Sequence, residues 1–190
     1  MREFIESYIK KSVNAKQNLL ADFEMLSVIE QAANMISTAY KNGNKVLTAG
    51  NGGSAADAQH IAAELVSKFI YNRKALNAIA LTTNSSILTA VGNDYSHEFV
   101  FARQIQAFGN KDDVFIAIST SGNSKNIIQA IEEAKKYGLK VIGFTGAREC
   151  LMDKLCDCTI KIPSEETPII QESHIMVGHI ICALTEKEFV

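Results

Sequence analysis

The spacing of apolar residues changes near Lys45. Before it, Phe4, Ile5, Tyr8, Ile9 and Val13 recur at helical intervals, and so do Leu26, Ile29, Ala33, Ile36 and Tyr40. This predicts two helices within residues 1–42, with Asn42-Gly43-Asn44 as the stop, since glycine takes a left-handed C-cap at low cost. Beyond Lys45 the apolar runs shorten. Val46–Ala49, Ala78–Leu81, Val114–Ile118, Val141–Phe144 and Thr159–Ile162 read as strands. Helical segments separate them at about 54–68, 85–91, 98–108, 124–137 and 148–155. A last helix is expected at about 169–188, with Pro163 and Pro168 both in the connection before it. Apolar strands alternating with helices imply an α/β fold with a mostly parallel sheet covered on both faces. Ligands of such sheets lie beyond the C-terminal strand ends, near a switch in strand order. Gly50–Ser54, Thr82–Ser86 and Ser119–Ser124 occupy those positions.

Composition narrows the function classes. The chain has 190 residues, enough for one substantial core in a single domain. Its formal charge is −2 with no long run of one sign, which argues against a nucleic-acid groove or a polybasic membrane patch. Acidic residues interrupt the N-terminus where a signal peptide needs an apolar stretch, and no segment approaches the ~18–20 apolar residues of a membrane span. Cys150, Cys156, Cys158 and Cys182 are too few for a disulfide scaffold, and Cys156-Asp157-Cys158 lacks the second close pair of a zinc knuckle. Reduced thiols in a cytoplasmic protein are expected.

Two loops have the chemistry of anion cradles. Gly50-Asn51-Gly52-Gly53-Ser54 follows the first strand and opens a helix, where free N–H groups favour negative charge. Its spacing is not that of a dinucleotide fingerprint, and the next strand ends in Leu81-Thr82-Thr83 without an acidic residue for a ribose. Ser119-Thr120-Ser121-Gly122-Asn123-Ser124 follows another strand and holds four hydroxyls in six residues, with no Gly-Lys-Ser/Thr for a nucleoside triphosphate. Serine and threonine also cap and turn chains for structural reasons alone. Two such loops at neighbouring strand ends favour a phosphorylated metabolite.

His60 and Glu64 lie four apart, on one face of the helix leaving the first loop. Such a pair suits general-base chemistry or metal ligation, and also occurs as an ordinary surface contact. On the last helix Gln171, Glu172, His174 and His179 interrupt an apolar pattern, and His179, between Val177-Gly178 and Ile180-Ile181, is expected to be largely buried. Gln171 and His179 stand ~12 Å apart along a helix and about 80° around it. They form no local clamp.

Taken together, Gly50–Ser54, Asp57 through Glu64, Val91-Gly92-Asn93-Asp94, Ser119–Ser124 and Gln171 through His179 resemble the phosphoheptose isomerases of the sugar isomerase domain family over nearly the whole chain. The resemblance implies a three-layer sandwich with a five-stranded parallel sheet, N-terminal helices and a long C-terminal helix. It also implies a homotetramer with active sites at subunit boundaries, residues 1–42 contributing to assembly. By the same likeness Glu64 and His179 are catalytic, and His60, Glu64, Gln171 and His179 hold one Zn2+ per subunit. Asn51, Gly52, Gly53, Ser54, Glu64, Asn93, Asp94, Ser119, Thr120, Ser121, Asn123, Ser124 and Gln171 contact the substrate. Lys68 stands where close relatives often carry Arg, and Pro168 where some carry Asp. The implied reaction interconverts sedoheptulose 7-phosphate and D-glycero-D-manno-heptose 7-phosphate, supplying heptose for lipopolysaccharide or capsule. Alternatives are isomerisation of another phosphosugar, and service as a tetrameric partner of the bacterial replication initiator, as in some proteins similar to this family.

Overall fold

The computed structural model describes residues 1–190. Two helices, α1 (Arg2–Ala21) and α2 (Phe23–Lys41), precede the sheet and break at Asp22, whose side chain accepts from the N–H of Met25. The expected stop holds, with Gly43 at φ +79°. Strands β1 (Val46–Ala49), β2 (Ala78–Ala80), β3 (Val114–Ile118), β4 (Lys140–Thr145) and β5 (Cys158–Lys161) pair in the order β2-β1-β3-β4-β5, all parallel. Between them lie α3 (Gly53–Val66), α4 (Ser85–Asp94), α5 (Ala102–Phe108), α6 (Lys125–Lys136) and α7 (Met152–Leu155), and α8 (Thr167–Glu186) closes the chain.

Strand alternation divides the core. Val114, Ile116 and Ile118 face α2, α3 and α8, where Ile36, Ile61 and Val177 meet them. Phe115 and Ala117 face the opposite side, against Ile105 of α5 and Ile127 and Ile131 of α6. Successive side chains of a strand point to opposite faces, so one apolar run covers two helical layers.

Apart from shifts of one to three residues at other ends, such as α4 running on to Asp94, three elements depart from the sequence reading. The segment expected as one helix at 98–108 divides into a 3-10 turn, His97–Phe99, and α5. The helix expected over 148–155 shrinks to four residues, because Asn123 Oδ1 takes the N–H of Leu151 and Asp153 Oδ2 takes that of Cys150, so capping starts late. Pro168 is not in a connection. It lies in the first turn of α8, where the missing N–H has no partner to lose.

Candidate active site

The strand order reverses between β1 and β3, and the two glycine and serine loops leave those strands. They are joined directly: the amides of Asn51 and Asn126 exchange hydrogen bonds of 2.9 and 2.8 Å. A side chain at Gly50 would sit 2.4 Å from the Ser54 carbonyl oxygen, so only glycine permits this turn. In the second loop Ser119 Oγ lies 2.9 Å from Ser124 Oγ and 3.4 Å from Ser121 Oγ. Ser124 precedes α6 without capping it through its side chain. The hydroxyls gather beside the open N–H groups of a helix start, an arrangement that fits an anion better than capping does. A cavity of about 190 Å³ opens here, bounded by Thr120, Ser121, Asn123, Gly146 and Ser164. A broader groove of about 500 Å³ runs along α2 past Glu30, Asn34 and Lys140, away from both loops.

On α3, His60 Nε2 approaches Glu64 Oε1 at 3.0 Å, the expected i,i+4 contact. From α8, His179 Nε2 approaches His60 Nε2 at 3.4 Å. Ligand atoms of His60, Glu64 and His179 all lie within 4.8 Å of one another. A single proton on His60 Nε2 cannot serve both neighbours well, whereas a cation would satisfy three converging lone pairs. This donor set of two imidazoles and a carboxylate suits a borderline divalent metal.

His179 is half-buried rather than largely buried, and the fully enclosed histidine of α8 is His174. Position within an apolar run does not fix helical phase, and the phase of α8 turns His174 inward. Its Nε2 lies 3.1 Å from the Thr145 carbonyl, while burial lowers its pKa to about 4, against the pull of that hydrogen bond.

Gln171 does not join the His60–Glu64–His179 group through any hydrogen bond. Its amide donates to Asp57 Oδ1 at 2.6 Å, and its side chain packs over Gly53. Asp57 is a polar group that sequence reasoning left out of the site. It is buried, its Oδ2 has no partner, and burial pushes its carboxyl up to about 6, against the Gln171 hydrogen bond and the charge of His60. The available signal was its position three residues before His60 on one helix face. Asn93 and Asp94 are exposed at the end of α4 and bond to each other at 2.8 Å, with no hydrogen bond to either loop.

The parallel α/β sheet with glycine- and serine-rich loops at its switch point is that of an α/β ligand-binding protein, and residues 7–146 match the model of the SIS domain. The phosphoheptose isomerase of Aneurinibacillus thermoaerophilus is 58% identical over 187 residues, covering 98% of this chain and 94% of the relative. The solved phosphoheptose isomerase of Francisella tularensis superposes with a TM-score of 0.93 at 37% identity, over 97% of each chain. That of Neisseria gonorrhoeae gives 0.92 at 38% identity, over 98% of each. The chain belongs to the phosphoheptose isomerase family of SIS-domain proteins and is an isomerase.

Proposed function

We propose that this enzyme interconverts sedoheptulose 7-phosphate and D-glycero-D-manno-heptose 7-phosphate. The observation that carries the reading is the convergence of Glu64 and His179, from different helices, in a chain whose strand-switch loops are suited to a phosphate. Relatives named for this activity, at up to 58% identity, support it. A ketose becomes an aldose when C1 loses a proton, C2 gains one, and a proton moves from O1 to O2 through an enediol. Glu64 carries the carbon-bound proton from C1 to C2. His179 exchanges protons with the oxygens and assists ring opening. Ser54, Ser119, Ser121 and Ser124, with Thr120 and Asn123, grip the phosphate. Asn51, Gly52, Gly53, Asn93, Asp94 and Gln171 shape the sugar pocket. Remote phosphate binding orients the reacting carbons without covalent participation.

His60, Glu64 and His179, with Gln171 as the fourth ligand implied by resemblance, would hold one zinc ion per subunit. When bound, zinc supplies positive charge that favours an enediolate oxygen. As a ligand Gln171 would use its amide oxygen, while its amide nitrogen donates to Asp57 Oδ1.

A homotetramer with sites at subunit boundaries belongs to the same proposal. Its support is the apolar face of α1, where Phe4, Ile5, Ile9 and Val13 are exposed, and the lack of any hydrogen bond from Asn93 and Asp94 to the loops of their own chain. No helix is long and apolar enough to cross a membrane. A cytoplasmic location is supported by four unpaired thiols. The product would feed heptose synthesis for surface glycans.

The test is incubation of the purified protein with sedoheptulose 7-phosphate, with product followed by NMR. The parent forms the aldose phosphate, and Glu64→Gln and His179→Gln each lose at least ~10²-fold in rate while assembly persists. Chelation abolishes turnover and zinc restores it. A folded parent, supplied with zinc, that makes no aldose phosphate would overturn the assignment.

A further inference from the structure

The last turn of α8 holds a carboxylate that the chemistry above leaves unused. Glu186 is fully buried and accepts from the backbone N–H groups of Phe69, Ile70 and Tyr71 at 2.9, 2.6 and 3.0 Å. Arg73 Nε lies 3.2 Å from the same carboxylate, an ion pair whose side chains are 1% and 0% exposed. The other end of the guanidinium turns to α3. Nη2 donates to the Glu64 carbonyl at 2.9 Å, and Nη1 donates to the carbonyls of Leu65, Lys74 and Ser67 at 2.8, 3.0 and 3.1 Å. Glu64 and Leu65 belong to the final turn of α3, where carbonyls have no intrahelical donor. The loop pinned on Glu186 in turn lays the ring of Phe69 on His179, with centroids 5.3 Å apart and planes inclined by 26°.

We propose that Glu186 and Arg73 are positioning residues for the reaction centre, fixing α3 through the backbone of Glu64 and the His179 imidazole through Phe69. The proposal rests on the roles assigned to Glu64 and His179 above. One ion pair thus spans both helices that carry the converging side chains, and the reacting groups keep their separation only while it is intact. A purely stabilising role is the competing account, because buried ion pairs occur without functional consequence. The accounts differ in what a folded variant does. Misplacement near 1 Å costs about 10²-fold in rate, and supporting partners of a metal centre typically control affinity by about 10- to 100-fold. No hydrogen bond joins the serine loop to the pair, so substrate affinity should be spared.

The experiment compares the parent with Glu186→Gln, Phe69→Leu, Phe69→Tyr and, as a control on the same helix end, Glu188→Gln, which removes an exposed pair with Lys41. Each is assayed for kcat and KM on sedoheptulose 7-phosphate and titrated with Co2+, read by its visible absorption. Glu186→Gln is expected to lower kcat and Co2+ affinity by about 10-fold or more, with KM within about threefold. Phe69→Leu, which leaves the ion pair intact, shifts both in the same direction, and Phe69→Tyr restores them by keeping the stacked ring. Glu188→Gln matches the parent. The proposal is overturned if Phe69→Leu and folded Glu186→Gln keep kcat and Co2+ affinity within about twofold of the parent. If Glu186→Gln does not fold, the contrast between Phe69→Leu and Phe69→Tyr decides by the same criterion. A parent without turnover or Co2+ binding refutes the functional reading and this proposal with it. An active parent with unaffected variants refutes only the proposal.

Discussion

Replacing Gly122 by alanine probes how tightly the second loop is built. Gly122 has φ +64°, and a Cβ there would lie 2.2 Å from Cys150 Sγ, 2.6 Å from Cys150 Cβ and 3.1 Å from Thr145 Cγ2. The left-handed backbone costs alanine about 1–2 kcal/mol. Overpacking against Cys150 adds about 1–3 kcal/mol. Alanine also stiffens the unfolded chain, which returns roughly 0.4–1 kcal/mol. The net expectation is a loss near 3 kcal/mol, bounded by about 1 and 5. Cys150→Gly removes the two shortest contacts but not the backbone penalty, so in the double variant it should recover about 1–3 kcal/mol as coupling. Urea unfolding of all four proteins at one protein concentration measures the cycle. The Gly122 carbonyl accepts from Met152 at 3.3 Å, so the clash displaces the loop as a unit. On the proposed reading, KM for the sugar phosphate then rises more than kcat falls. A Gly122→Ala protein within about 0.5 kcal/mol of the parent, or a cycle without coupling, would refute the reasoning.

His174 gives a pH signature. Burial lowers its pKa from 6.5 to about 4, so the unfolded chain takes the proton first. The folded state is then at no disadvantage above about pH 6.5 and loses stability as pH falls toward 4, on the order of 3 kcal/mol from this group. His174→Gln should flatten that slope in urea midpoints measured from pH 4 to 7, and equal slopes would disprove the assignment. Asp113 is 1% exposed and accepts from the backbone N–H groups of Asn110 and Lys45 at 2.8 and 3.0 Å and from Lys45 Nζ at 2.6 Å. Asp113→Ala should cost about 3 kcal/mol by calorimetry, yet leave kcat near the parent value, because the residue lies at the end of the sheet remote from the loops. Ile5→Lys combined with Ile9→Lys should reduce the mass seen by light scattering without unfolding the chain, since Ala15 and Leu19 are the buried residues of α1. An unchanged mass would exclude that face from assembly.

Much of this architecture is legible in local pattern. The five strands, the helices between them and both candidate ligand loops follow from short apolar runs, period-3.6 spacing and glycine and serine at strand ends, because those signals act within a few residues. The His60–Glu64 contact is equally local, one helical turn apart. Pro168 and the shortened α7 show where this reading fails: helix starts depend on which side chains take the first N–H groups, and Asn123 reaches Leu151 from 28 residues away.

The meeting of His179 with His60 across 119 residues, the inward turn of His174 and the outward turn of His179 were decided only by tertiary structure. The buried bridge from Glu186 through Arg73 to the Glu64 carbonyl belongs with them. Helical phase and strand order minimise exposed apolar surface over the whole sheet at once, and no window of neighbouring residues contains that sum.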